Sequence, residues 1–579
     1  MGTAADRLHW STPRTACNER KLLRVQQPDR CRSTTGADRA RGLRALGTPC
    51  LWHGEGWQSC LMTPPAWLDA LNLELAHQNV RREYHGDWHK DPWGWPEYEF
   101  LLKNARPTVL GWFSSTGCAE VALIRVPKEN WGVRPAVVLD LLDRLGYQAI
   151  IDLNSAKLIG DMSPSAYGWR LIPGRPEAGK YASDRIQWDE YRTHIESAGG
   201  VYDAALRTDV VSCFASMQPD MVLDDVSSRA GGNASLDRLG SFLLGFDQLA
   251  SRTGLPQRAR PSSVLANMMM RHFDDVLEAH AEVIPELMVI GSTQPAPRLS
   301  FVRWMDDMWL FGDDAAAMRR AQLELQETAM RFGLNLNSSK TEVLEGPDVH
   351  AQALEVELSA VDDGLLHQDS KALEELIEQV LESPDTAGRT RVKFMISRML
   401  EHNVHYREQE LVLAAPRMPH CADSLARYMR SRFSQESLSE WFLSEIHDAW
   451  DLLQWPHSHY LGMFPTDGSP PAGLRDYAAE KVSDLNTELP LLTVAAQRLA
   501  AWDPGYARTT IAGTVDHRSN PHERRILSLA ALSAKETRMT TKRWLNQHAA
   551  NAVTLRMLED VNFRTPRVDA SYAVAGPAA

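Results

Sequence analysis

The sequence predicts an α+β core followed by a large all-α region. Three observations carry that prediction. Between residues 119 and 350 short apolar runs rich in Val, Leu and Phe alternate with longer helical patterns. Beyond 350 the pattern is helix after helix to about Asn562, read as stacked helical hairpins without a clean repeat period. The composition, 44% hydrophobic and 24% charged over 579 residues, is that of a globular chain with ample core material.

In chain order, residues 1–61 are Arg-rich and lack periodicity, so they are expected to be a disordered leader, with Met62 as the native start. Cys17, Cys31, Cys50 and Cys60 fall there at gaps unsuited to a zinc module. Residues 62–118 form a helical segment opened by MTPPAWLDALNLEL, with a Trp-rich loop, DWHKDPWGWPEYEF. Residues 119–200 hold two strands, EVALIRVPK and RPAVVL, then a helix from about Asp140 to Ile159. In residues 201–350 a buried strand spans 203–213, helices lie near 235–252 and 261–281, and LSFVRWMDDMWLFG (299–312) reads as two strands meeting at an acidic turn. A helix over about 315–332 and the strand TEVLEG close this part, and 351–579 is the all-α region.

No apolar run is long enough to span a membrane and no signal-peptide core opens the chain, which predicts a cytoplasmic protein. Seven scattered Cys agree with a reducing compartment. The formal net charge of −13 argues, taken alone, against a polyanionic partner.

The carboxylates point the other way. Asp-Asp pairs recur at 224, 274, 313 and 362, so the dipeptide means little by itself. Asp306–Asp307 differs in setting, between FVRWM and MWLF, two runs apolar enough to be adjacent buried strands. Asp209 likewise ends a hydrophobic strand. Carboxylates converging from neighbouring strands repel and call for cations, and oxygen-only ligands on a rigid sheet suit Mg²⁺. Two such ions would activate a hydroxyl and stabilise a leaving pyrophosphate. On these residues alone, two ordinary turn acids explain the pattern equally well.

The flanking motifs decide between the two. In order, VPKENWGVRP, LLDRLGYQAI, YGWRLIPGR, TDVVSCF, GLPQRARPSSVLAN, RWMDD and GLNLNSSKT resemble the successive motifs of the reverse transcriptase family, over residues 124–346. The resemblance implies right-hand polymerase fingers and palm, and the helical pattern behind them is expected to form HEAT-like hairpins. It implies Asp209, Asp306 and Asp307 as catalytic metal ligands, with the Val210 carbonyl as a further ligand and Lys340 as proton donor to pyrophosphate. Two Mg²⁺ are implied, with Mn²⁺ as a substitute. Lys128, Arg134 and Arg144 fall at positions that meet the nucleotide, Gln257 at its pocket, and Phe214 at the bulky gate that excludes a ribose 2′-hydroxyl. Gly312–Asp313–Asp314 is set aside as a rival catalytic motif, because AAAMRRAQLELQ makes its acids a helix cap.

Some positions depart from the family pattern. Trp304 replaces the usual tyrosine, and Met305 stands before the acids, expected near the primer end. Arg258 occupies a glycine position, with Arg260 close by, and both are expected to bind nucleic acid. The helical tail lacks the features of retroviral, intron and retron enzymes, and motif B lacks the Ser-Gln favoured by diversity-generating ones. Its architecture resembles the bacterial abortive-infection and defence-associated reverse transcriptases. That resemblance implies antiphage defence, dNTPs as substrates, DNA product, an RNA template or partner non-coding RNA, protein priming in some members, and a homo-oligomer assembled through the tail. Alternatives are a retired palm serving as a nucleic-acid-binding or toxin-regulating module, and an intron- or retron-like mobile-element enzyme. Within the tail, the acidic 355–382 stretch suits solvent or a protein partner, whereas RTT, HERR, KETR and TKRW are basic enough to line a channel, a plain solvated face being the default for both.

Overall fold

The computed structural model describes residues 66–83, 87–104, 106–249, 254–284, 298–446 and 453–566. Contacts set Pro64–Ala579 apart as the second of two units of the chain. The expected disordered leader, its four cysteines and the start at Met62 lie outside the described residues. Everything below concerns the second unit.

The N-terminal helical pattern is interrupted. A 3₁₀ turn, Ala66–Ala70, precedes helix α1, Leu73–Glu83. Asn72 begins α1 afresh, its Oδ1 accepting from the Leu75 amide at 3.0 Å, as an N-cap does. After α2 (Glu97–Asn104) and α3 (Arg106–Phe113), the first two predicted strands form an antiparallel hairpin, β1 (Ala122–Pro127) and β2 (Val133–Val138). Its tip turns with Asn130 and Trp131 at φ of 55° and 59°. Asp140 caps α4 (Leu141–Ile159), accepting from the Leu142 amide at 2.9 Å. This helix is buried on nearly every side, among α1, α3 and the helices Pro219–Ala230, Ala234–Asp247 and Arg260–His280.

The site is carried by a five-stranded sheet. Its strands are β3 (Ala166–Tyr167), β4 (Ala204–Thr208), β5 (Phe301–Trp304), β6 (Asp307–Gly312) and β7 (Glu342–Glu345), in the order β3-β5-β6-β4-β7. Only the β3–β5 pair is parallel. Alternation along the strands divides the core. Leu206, Phe301, Met308 and Leu310 join one cluster, while Ala205, Val302, Trp309 and Phe311 join the other. Both faces are therefore covered, which explains why these strands read as unbroken apolar runs. Helices α9 (Arg260–His280) and α10 (Ala315–Arg331) pack on one side; α5 (Asp184–Gly199) and α11 (Pro347–Ala353) lie on the other.

Strand β4 stops at Thr208, shorter than the predicted 203–213. The backbone turns through Ser212 at φ 49° into the short α6 (Cys213–Ser216). Helices α5 and α7 (Pro219–Ala230) were not anticipated; α8 (Ala234–Asp247) was. Asp314 accepts from the Ala316 amide at 2.8 Å, the cap expected of Gly312–Asp313–Asp314.

The tail continues as α12 (Val356–Leu366), α13 (Lys371–Glu382), α14 (Arg389–Glu401), α15 (Glu408–Ala414), α16 (Ala422–Arg432) and α17 (Gln435–Trp441). Further helices run from Gln454–Leu461 to Ala552–Glu559, packed around the apolar helix Leu489–Trp502. The helix Pro521–Ser533 returns to the N-terminal segment. Arg525 donates to both oxygens of Glu97 at 2.6 and 2.8 Å and to Asp91 at 2.7 Å, all three side chains being buried. Arg524 is spent on the Arg518 and Asp516 carbonyls and on Gln547. The arginines of HERR are thus internal ties and do not line a channel, correcting the expectation from sequence.

Removing one member of a buried ion pair strands the other and costs about 3–5 kcal/mol. Arg525→Ala should destabilise the protein by that order in urea unfolding, with Arg525→Lys intermediate. An unchanged midpoint would show that this tie does not hold the two ends together.

Candidate active site

The β5–β6 turn rests on a buried arginine. Arg303 is fully buried and grips Asp274 of α9 with two nitrogens, at 2.6 and 2.8 Å. Its remaining terminal nitrogen donates to Asn267 Oδ1 and to the Met305 carbonyl, both at 2.8 Å. Asn267 in turn donates to the Gly168 carbonyl at 2.6 Å, and the Gly168 amide donates to Gln187 at 3.1 Å. Strands β3 and β5 and helices α5 and α9 are so joined beneath the turn. Met305 sits at φ 56°, a left-handed conformation that a non-glycine residue adopts only when its surroundings hold it there. Neither Arg303 nor Asp274 was singled out from sequence. The only available signal was a charged residue inside an apolar strand.

This turn delivers the carboxylates. In the β4–β6 register Thr208 faces Met308, so Asp209 and Asp307, one step beyond, come opposite each other. Lys340 donates to Asp209 Oδ2 at 2.8 Å, while Asp209 Oδ1 is buried without a hydrogen-bond partner. The Asp209 carbonyl accepts from the Asn337 amide at 2.9 Å, and Val210, itself buried, bridges Leu336, which ties the Lys340 loop to β4. Burial, then the charges of Asp209 and Asp307, raise the Asp306 carboxyl from 3.8 to about 6. Burial and Asp209 also raise Asp307, with Arg207 opposing. Burial lowers Lys340, but the bond and charge of Asp209, with Asp307 and Asp306, outweigh it and hold the ammonium above its ordinary value.

The other predicted residues divide. Lys128 stands at the β1–β2 tip and feels Arg134, Lys340 and Asp209 electrostatically; Arg134 in turn feels Asp306. Phe214, partly buried, is the second residue of α6, and its carbonyl accepts from the Leu255 amide at 2.8 Å. Gly254 makes that approach possible: at φ 73°, a Cβ would lie 2.2 Å from the Phe214 oxygen. Gln257, half-buried, follows three residues later.

Two arginines are placed elsewhere. Arg144 is buried and bound to Glu83 at 3.0 Å and Asp87 at 2.8 Å, so it anchors α1 instead of meeting a nucleotide. Arg260 is 4% exposed, its amide on Glu83 and its guanidinium over the Trp169 and Tyr181 rings, so it offers no surface to nucleic acid. Arg258 is exposed and lies with its guanidinium 4.3 Å from the Trp88 ring centre. Its φ of 64° explains why the family pattern has glycine there. Trp304 packs against Trp188 and Tyr191, and Met305 is buried in the core. Beside Asp307 opens a cavity of about 650 Å³, walled by Trp188, Tyr191, Arg207, Trp309 and, from the tail, Arg391.

The donor set fits a divalent cation: oxygen ligands only, mutually repelling, with one buried oxygen unpartnered. Among the described residues, no three His, Cys, Asp or Glu side chains already form a closed metal cage.

Two outcomes are expected. Arg303→Lys cannot grip Asp274 with two nitrogens while holding the Met305 carbonyl, so nucleotide incorporation should fall roughly 100-fold through misplaced carboxylates. Near-wild-type incorporation by a folded Arg303→Lys protein would refute that role. The second concerns pH. Asp306 keeps its proton to about 6 when folded and to 3.8 when unfolded, so the metal-free protein loses stability as pH rises through that window. In EDTA, Asp306→Asn should remove part of that fall and melt above wild type at pH 7. Parallel melting curves would contradict it.

No curated protein matches the chain. Residues 126–395, under half of the chain, match the family described as reverse transcriptase (RNA-dependent DNA polymerase). The matched stretch contains the hairpin tip, all three carboxylates and Lys340, and it runs into α14. This chain therefore carries a reverse transcriptase domain over residues 126–395 and is an RNA-directed DNA polymerase, a nucleotidyltransferase.

Proposed function

We propose that the protein synthesises DNA in antiphage defence, with the five-stranded sheet as palm and the β1–β2 hairpin as fingers. The observation that carries the catalytic reading is the placing of Asp209 opposite Asp307, with Asp306 in the adjoining turn and the Lys340 ammonium on Asp209. Asp209, Asp306 and Asp307, with the Val210 carbonyl, would hold two Mg²⁺ ions. Bound there, such ions supply activation of the attacking 3′-hydroxyl and charge stabilisation of the leaving pyrophosphate.

The remaining work falls to the chain's own groups. Lys128 and Arg134 bind the triphosphate of the incoming dNTP as fixed positive charges. Phe214 excludes a 2′-hydroxyl by its volume, held against Gly254 and Leu255, and Gln257 borders the same pocket. Lys340, kept protonated by the carboxylates around it, is the acid for pyrophosphate. The cavity beside Asp307 has room for the end of a growing strand or a protein hydroxyl. The defence role is supported by the architecture: a polymerase core followed by a helical tail resembling that of abortive-infection enzymes. A partner RNA, protein priming and assembly through the tail belong to the same reading. A retired palm is disfavoured by the retention of all three carboxylates and Lys340 in one place.

Purified protein given Mg²⁺ and each labelled nucleotide, first alone and then with its co-purifying nucleic acid, should incorporate dNTPs over rNTPs. Asp306→Ala should abolish this; equal behaviour of wild type and variant would end the polymerase reading. Phe214→Ala should relax dNTP preference by roughly 10-fold or more. An unchanged preference would remove the gate. Sequencing the co-purifying nucleic acid tests the partner RNA, and phage plating with wild type and Asp306→Ala tests the defence role.

A further inference from the structure

Trp88, from the Trp-rich loop, is buried, and three arginines from distant parts of the chain surround its ring. The guanidinium carbons of Arg134, Arg258 and Arg389 lie 5.5, 4.3 and 5.4 Å from its centre. Arg389 also lies 5.7 Å from the ring of Trp455, whose indole N–H donates to the Trp88 carbonyl at 3.1 Å. The face of a ring orients a guanidinium without neutralising it, and leaves its N–H groups for another partner. Lys90, Lys393 of α14 and Arg427 of α16 extend the group.

Counter-charge is short. Asp87 is taken by Arg144 at 2.8 Å, Asp423 is taken by Arg389 at 2.6 Å, and Glu129 accepts the Arg389 amide at 3.1 Å. The histidines facing the group are His420, whose Nε2 meets the Ala387 carbonyl, and His459, which burial lowers to about 4 and so keeps neutral. Among the described residues, Arg134, Arg258, Lys393 and Arg427 make no ion pair, and the Arg427 Nε is buried without a partner. Burial, then the neighbouring cations, pull the Lys90 and Lys393 amines below their ordinary value. Arg258 holds its place at the cost of a left-handed backbone, strain of the kind that persists at ligand sites.

We propose that this basin beyond Arg134, from Arg258 and Arg389 to Lys393 and Arg427, binds the phosphates of one single strand of nucleic acid, which passes from the catalytic carboxylates over Trp88 onto helices α14 and α16. The inference rests on the polymerase reading and deepens it by giving the tail a direct part in holding the strand. Charge continuity favours a strand over a lone triphosphate. Lys340, Lys128 and Arg134 lie beside the carboxylates, and the remaining cations lead away from them in series. Such a series suits a repeating phosphodiester, as in grooves that track single strands.

The test uses the full-length protein and labelled single-stranded DNA and RNA 12-mers, followed by anisotropy across a salt series. Lys393→Gln with Arg427→Gln removes two contacts, so the slope of log affinity against log salt should shrink by about 1.4. Affinity should fall 10-fold or more, while KM for dNTP at saturating strand holds. Melting curves and each single variant guard against misfolding. Unchanged affinity and slope in the folded double variant would overturn the proposal. So would a raised KM for dNTP with intact strand binding, which would assign the basin to the triphosphate. Wild type that binds the 12-mer as expected but incorporates nothing would instead sink the polymerase reading and leave the basin standing.

Discussion

The grip of Arg303 on Asp274 is the constraint on which the site depends. A fully buried guanidinium is costly to desolvate, and two carboxylate oxygens, an amide oxygen and a backbone carbonyl answer its charge and donors. Because the last of these acceptors is Met305, the pair does more than stabilise α9 against β5. It fixes a left-handed turn one residue before Asp306 and so aims the carboxylates. A sheet buried on both faces gives the turn a rigid base. The glycine at 254 lets the Gln257 segment close against Phe214, completing the surroundings from another direction.

Electrostatics then runs in two opposite senses within one neighbourhood. The sheet concentrates negative charge, enough that Asp306 keeps its proton to about 6 and Lys340 is drawn in as a counter-ion. Across the Trp88 ring the excess is positive, with arginines oriented by aromatic faces and not by carboxylates. Net charge of −13 describes neither region. Repulsion in each is a standing free-energy cost in the unliganded protein, which on the proposed reading a metal would relieve on one side and phosphate on the other.

The tail is coupled to this arrangement at both of its ends. The hairpin tip meets it through Asp385, whose carbonyl accepts the Asn130 amide at 2.9 Å and whose side chain accepts the Trp131 indole at 3.0 Å. The chain's last helices return to Asp91 and Glu97 through Arg525 and Thr554. A helical region that touches the β1–β2 hairpin, the cavity beside Asp307 and the Trp88 basin is placed to respond to what those sites hold.

Much of the α+β core was legible from sequence because it is local. The β5–β6 hairpin, the helix starting near Asp140, the helix after Gly312–Asp313–Asp314 and the run of tail helices follow from periodicity and capping, which are properties of adjacent residues. The identities of Asp209, Asp306, Asp307 and Lys340 as a group also came from ordered motifs, and the structure brings them together. The roles of the arginines did not follow. Arg144, Arg260 and Arg525 look like surface cations and are buried ties, whereas Arg389 and Lys393, just past an acidic stretch, join the basin. An arginine's role is set by which carboxylate or ring reaches it, and those partners lie between 34 and more than 400 positions away. Sequence by itself determined the elements and the acidic centre; only the tertiary structure decided which positive charges are spent inside the fold and which remain to bind, because pairing across such separations is fixed by packing and not by neighbours in the chain.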